Sequence, residues 1–110
     1  MAVRGLALAL LILAVSPVSA QRTTFDGLLS CERHGAVEFK RRNPALRRFV
    51  IERAGVVVDK FAEKVGSQFV ATIYHGKAIY EAANGPRTVR FLCLHGGVER
   101  GPVFVYTLAD

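Results

Sequence analysis

The 110-residue chain reads as an α+β domain, one amphipathic helix packed on an antiparallel β-meander of about four strands and tied by one disulfide. Three observations predict this. Apolar residues between Leu46 and Val65 recur at steps of three and four, the period of a helix face. From Gln68 onward, β-branched and aromatic runs alternate with turns rich in Gly, Asn and Pro. Two cysteines, Cys31 and Cys93, lie downstream of an N-terminal leader. A mostly β chain, folded as a small barrel-like meander, is the alternative.

The leader has the three parts of a secretory signal peptide. Arg4 supplies the positive start, and Leu6 to Val15 forms an uncharged apolar run. That run is half the roughly 20 apolar residues a spanning helix needs. Pro17 breaks it, and Val18-Ser19-Ala20 offers small residues to a signal peptidase. Residues 1–20 are therefore expected to be cleaved, leaving residues 21–110 as one small exported domain, periplasmic or secreted. No later segment approaches spanning length, so no transmembrane segment is expected after cleavage. In an oxidising compartment an even cysteine pair in a small domain predicts a disulfide. Closing the loop from Cys31 to Cys93 restricts the unfolded chain by roughly 4 kcal/mol on chain-entropy arithmetic.

Along the mature chain, residues 21–27 form a polar leader to the domain. Ala36 to Lys40 alternates weakly and suits a short strand or a helix start. Asn43-Pro44 then combines a preferred N-cap with a residue that fits the first helical turn. Leu46, Val50, Ala54, Val57, Val58, Phe61 and Val65 cover one face at 100° per residue, with Arg48, Glu52, Arg53, Asp59, Lys60 and Glu63 opposite. This predicts a helix over 44–64, ended near Gly66. Its competitor is a shorter helix ending near Ala54 followed by a strand from Val56 to Phe61, because Gly55 and three consecutive valines disfavour a helix. Gln68 to Tyr74 reads as a strand, His75-Gly76 as a turn, and Ala78 to Glu81 as a further strand. Asn84-Gly85-Pro86 is a strong turn signal. In Thr88 to Leu94, Val89, Phe91 and Cys93 share one face. Val103 to Leu108 closes the chain as a strand.

The net charge is +6, and removal of Arg4 with the leader leaves +5. The excess is concentrated: Lys40, Arg41, Arg42, Arg47, Arg48 and Arg53 fall in one short segment opposed only by Glu52. Such a field attracts polyanions and anionic membrane surfaces. There is no Trp, and Phe49 is the one aromatic residue among these cations, so a base-stacking platform is not indicated and no nucleic acid is expected.

Motifs for catalysis are missing. Ser30 and Ser67 are the only serines after the leader, and neither sits in a Gly-x-Ser-x-Gly turn. Gly96-Gly97 is not followed by a helix with a lysine, as a phosphate loop requires. The carboxylates are scattered. Cys31-x-x-His34 and Cys93-x-His95 supply the ligand types of a zinc site, but export favours the disulfide. His34 and His95 then remain as weak metal candidates near the bridge, and no cofactor is expected.

Gly76-Lys77-Ala78-Ile79-Tyr80 resembles the Gly-Ala-x-Tyr segment of periplasmic inhibitors of c-type lysozymes. The resemblance covers five residues, and His75 stands where that family has a serine before the glycine. It implies a β-barrel and an inhibitory loop made here by His75, Gly76 and Lys77. The reading from the residues is a non-enzymatic exported binding module that engages an anionic envelope component or an acidic partner through residues 40–53. A periplasmic inhibitor of a cell-wall hydrolase is the alternative.

Overall fold

A computed structural model of the chain describes residues 25–109. The signal peptide expected over 1–20 and most of the polar segment after it lie outside the described residues. One helix, α1 (Gly27–Arg42), precedes five strands: β1 (Arg48–Ile51), β2 (Val57–Val65), β3 (Gln68–Ala82), β4 (Gly85–His95) and β5 (Pro102–Ala109). A short 3-10 turn, Arg53–Gly55, separates β1 from β2. All strand pairs are antiparallel. The long strand β3 is the backbone of the sheet: β4 and then β5 follow on one side, while β1 and β2 share its other side. β1 pairs with the end of β3 at residues 78–81, and β2 with its start at residues 68–75.

The α+β class is therefore present, with five strands and the helix in a different place from the one predicted. The helix begins where Asp26 accepts a hydrogen bond from the Leu29 N–H at 3.0 Å. That capping contact holds the Asp26 carboxyl below its ordinary range, with the Arg53 guanidinium adding to the effect. Gly27, Cys31, Gly35 and Phe39 recur every four residues and form the buried stripe of α1. Lys40, Arg41 and Arg42 fill its last turn, where positive charge complements the helix dipole.

Asn43 ends this helix and does not start another. The residue before a proline is driven out of the α region, and Asn43 is extended at φ −135°, ψ 90°. Its side chain still caps, but forward: Oδ1 accepts from the Ala45 N–H at 3.2 Å. The expected helix over 44–64 is replaced by β1, the 3-10 turn and β2. Of its supposed core face only Leu46 is fully buried, and Val50, Val57, Val58 and Val65 are exposed. The β-branched residues favour extended backbone, and the buried residues of β1 are Phe49 and Ile51, which alternate with period two. The competing strand from Val56 to Phe61 is close to β2.

The expected turn at His75-Gly76 is also overturned. β3 runs unbroken through it, with His75 paired to Val57 and Leu92, and Gly76 paired to Phe91. Glycine suits the close packing there, because a Cβ on Gly76 would lie 3.3 Å from Val56 Cα, a tight contact. The turns fall at Gly66-Ser67 and Ala83-Asn84.

The core lies between α1 and one face of the sheet. Phe49 and Ile51 from β1, Ala78 from β3, Val89, Phe91 and Cys93 from β4, and Val105 from β5 pack against Cys31 and Phe39 of the helix. Val89, Phe91 and Cys93 share a face as the alternation predicted. Cys31 and Cys93, both fully buried, form the disulfide between helix and sheet, with Cα atoms 6.2 Å apart. The opposite sheet face carries no helix among the described residues.

Candidate anion-binding site

The six cations of residues 40–53 lie on α1, β1, the 3-10 turn and, for Arg47, the loop before β1, and most are held by the protein itself. Lys40 Nζ donates to the carbonyls of Leu46 at 3.0 Å and Pro44 at 3.4 Å, closing the loop between α1 and β1. Arg41 pairs with Glu38 one turn earlier in the helix. Arg48, on β1, pairs with Glu81 of β3 at 2.6 Å. Arg53 pairs with the N-cap Asp26 at 3.0 Å. Arg42 and Arg47 are exposed and form no ion pair among the described residues.

The helix C-terminus brings Arg42 to a second cation that the sequence reading did not single out. Arg87 of β4 lies opposite Tyr80 of β3, and its guanidinium carbon sits 5.1 Å from the Tyr80 ring centroid. This cation–π contact orients Arg87 without neutralising it. Tyr80 is itself fixed by tilted packing on Phe39 at 6.0 Å and by a hydrogen bond from Asn43 Nδ2 to its hydroxyl at 3.4 Å. Arg42, Arg87, Phe39, Tyr80, Tyr106 and Thr107 line one depression of about 190 Å³. It is smaller than the roughly 300 Å³ at which small-molecule pockets begin. Its lining residues include two arginines and no acidic residue. That set suits a single anionic group, because guanidinium forks pair with phosphate or carboxylate oxygens in a bidentate manner.

The remaining candidates lie elsewhere. His75, Gly76 and Lys77 occupy the middle of β3 and line a depression of about 580 Å³, with Gly55, Val57, Arg90 and Leu108 among their neighbours. His75 Nε2 lies 3.5 Å from an Asp59 carboxylate oxygen on β2. The bridge takes up both sulfurs of the zinc constellation. His95 is buried, with Nε2 3.1 Å from Ser30 Oγ and Nδ1 accepting the Gly97 N–H at 3.0 Å. Both ring nitrogens are thus engaged within the protein. His34 lines a separate depression beside Glu38, Arg42 and the start of β5. Among the described residues no three His, Cys, Asp or Glu side chains gather as a metal site.

Arg87 had only a loose positional signal: Asn84-Gly85 marks a hairpin, but a two-residue turn there would pair Tyr80 with Val89, and it is the turn at Ala83-Asn84 that sets Tyr80 against Arg87. The contribution of Arg42 depended on locating the helix. No family model matches the chain, and no curated protein or solved structure is significantly similar to it.

Proposed function

We propose that this chain is an exported, non-enzymatic binding module that engages an anionic component of the cell envelope through Arg42 and Arg87. The observation that carries the reading is the depression these two arginines share, with Tyr80 beneath Arg87 and no acidic residue among its lining residues. Most of the other cations near the helix terminus are engaged by internal partners, so the attraction is concentrated here. Export is supported by the leader expected over residues 1–20 and by the buried disulfide. No helix among the described residues is long and apolar enough to cross a membrane.

The test is co-sedimentation of the purified protein with vesicles of anionic or neutral lipid. Binding to the anionic vesicles alone, weakening as salt rises and abolished by Arg42→Glu with Arg87→Glu, supports the reading. Equal binding to neutral vesicles, or undiminished binding by the folded double variant, overturns it.

The hydrolase-inhibitor reading is the second. It is favoured by the placement of His75, Gly76 and Lys77 in the wall of a depression of about 580 Å³. Inhibition of a c-type lysozyme that is lost in Lys77→Ala and retained in the Arg42, Arg87 double variant would put it first.

A further inference from the structure

We propose that the sheet face away from α1 holds a binding site for a single-tailed anionic amphiphile, a molecule with one acyl chain and a carboxylate head. Residues paired across an antiparallel sheet share a face, so the register defines what this one carries. Lys77, Arg90 and Leu108 form one row across β3, β4 and β5. The next row on the same face is His75, Leu92 and Tyr106, and the one after it is Ile73, Leu94 and Phe104. Apart from His75, these last two rows are aliphatic or aromatic. The solvated face of an antiparallel sheet is ordinarily polar, yet Phe104, Tyr106 and Leu108 are each more than two-fifths exposed. A contiguous exposed apolar patch marks a surface that takes a ligand or a partner.

The face is also hollowed. The depression of about 580 Å³ lies over the first two rows, lined by His75, Lys77, Arg90, Leu92 and Leu108, with Val57 of β2 beside His75. That volume falls within the roughly 300–1,000 Å³ of small-molecule sites. It shares no lining residue with the depression that holds Arg42 and Arg87, so this proposal does not rest on the reading given to that one.

The charge of the wall selects the ligand's head. The described lining residues include Lys77 and Arg90, side by side in one cross-strand pair, and no acidic residue. Asp59 stands beyond Ile73 on β2 and is drawn to His75 at 3.5 Å. Lys77 and Arg90 are each engaged within the chain. An ammonium and a guanidinium carry several N–H donors apiece, so both can serve a carboxylate in addition, and the guanidinium fork matches its two oxygens.

The neighbouring rows select the tail. At about 3.4 Å per residue along β4, Leu92 and Leu94 lie roughly 7 and 14 Å from Arg90. An acyl chain held by its head at the cationic row would run along this apolar track toward Phe104 and Tyr106, whose rings stack at 5.7 Å. A small inorganic anion would leave the track uncovered, and a neutral hydrocarbon would leave the cations unmatched.

The experiment is calorimetric titration of the protein, with its disulfide intact and at physiological salt, using decanoate, decanol and acetate as probes. Decanoate should bind saturably, one per chain and about tenfold more tightly than decanol, roughly the value of one charge-assisted contact. Acetate should show no measurable binding. Lys77→Met with Arg90→Met keeps apolar length and removes charge, and should erase the preference for decanoate over decanol. Leu108→Glu, which sets a carboxylate opposite Arg90, should abolish decanoate binding while the circular dichroism spectrum stays that of a folded domain. Arg42→Glu with Arg87→Glu should bind decanoate as the wild type does. As a second measurement that needs no variant, decanoate should shift the backbone amide resonances of residues 75–77, 90–92 and 108. Absence of saturable binding, decanol binding as tightly as decanoate, or undiminished preference in the folded Lys77, Arg90 variant would each overturn the proposal. So would equal loss in the Arg42, Arg87 variant, or amide shifts confined to other parts of the sheet.

Discussion

His95 Nε2 lies 3.1 Å from Ser30 Oγ, joining the last residue of β4 to the first turn of α1 beside the Cys31–Cys93 bridge. The Gly97 N–H donates to Nδ1, which places the ring proton on Nε2 and makes Ser30 its acceptor. The imidazole is neutral in this arrangement, and its environment keeps it so. Phe25 and Tyr74 meet the ring edge-on at 5.4 and 6.1 Å. Burial pushes the His95 pKa below its ordinary 6.5.

This neutrality makes stability depend on pH. Because the folded pKa is depressed, the unfolded chain binds the proton first as pH falls. The His95 contribution is complete above pH 6.5 and is lost progressively below it, toward the lower folded pKa. Protonation would also set an N–H at Nδ1 against the Gly97 N–H. Melting temperature should therefore drop on acidification below about pH 6.5, and His95→Gln should flatten that dependence while lowering stability overall. A second loss, from Asp26, belongs to pH below its ordinary 3.8. Equal slopes for wild type and His95→Gln between these limits would refute the assignment.

The disulfide sets much of the domain's stability. It closes a sequence separation of 62, for which chain entropy gives about 4 kcal/mol. Small domains hold only about 5–15 kcal/mol in total. Cys31→Ala with Cys93→Ala should therefore lower the melting temperature by tens of degrees or prevent folding at physiological temperature. Thiol titration should find no reactive group before reduction and two after it. An unchanged melting curve in reductant would show that the bridge contributes little.

Gly35 is a position where better helix propensity should harm the protein. A Cβ there would lie 2.8 Å from Phe49 Cε2 and 3.2 Å from Val105 Cγ1. Phe49 cannot swing aside, because it is buried and packed edge-on against Phe39 at 5.0 Å. Overpacking costs about 1–3 kcal/mol, against about 1 kcal/mol gained from replacing glycine in a helix. Gly35→Ala should lower the denaturation midpoint, and Gly35→Val should lower it further. Gly55→Ala meets nothing within 4 Å and should be silent. A stabilised Gly35→Ala would show that the helix shifts outward easily.

These residues also explain which parts of the fold could be read from sequence. β4 and β5 were legible because Val89, Phe91 and Cys93 alternate cleanly and strong turn signals bound both strands. The bridge was legible because the chain has one cysteine pair. α1 was missed because its buried stripe is Gly27, Cys31, Gly35 and Phe39, and two glycines and a cysteine carry almost no hydrophobic signal. Residues 44–64 misled for the converse reason. Valines at helical spacing look like a core face, but they belong to exposed positions of β1 and β2. His75-Gly76 carries a turn's composition, yet its glycine serves the close approach of Val56. In the candidate site Arg42 was named among six cations, while Arg87 needed the β3–β4 register to bring it over Tyr80.

Stability and binding should separate among the arginines. Arg48 is half-exposed and holds Glu81 at 2.6 Å, a pair of the kind worth about 0.2–1 kcal/mol. Arg48→Glu sets two carboxylates side by side and should lower the denaturation midpoint measurably. Among the described residues Arg42 and Arg87 have no ion pair to lose, so Arg42→Glu, which gives up only favourable charge at the helix C-terminus, and Arg87→Glu, which gives up only the Tyr80 contact, should lower the midpoint less than Arg48→Glu. Binding to anionic vesicles should show the reverse order. The proposed contact rests on Arg42 and Arg87, so each change should weaken binding and reduce its dependence on salt, because fewer cations face the surface. Arg48→Glu lowers the general positive field, which reaches about 8 Å at physiological ionic strength, and should weaken binding less. If Arg48→Glu and Arg42→Glu reduce vesicle binding equally at matched stability, the attraction comes from overall charge and not from the depression beneath the helix terminus.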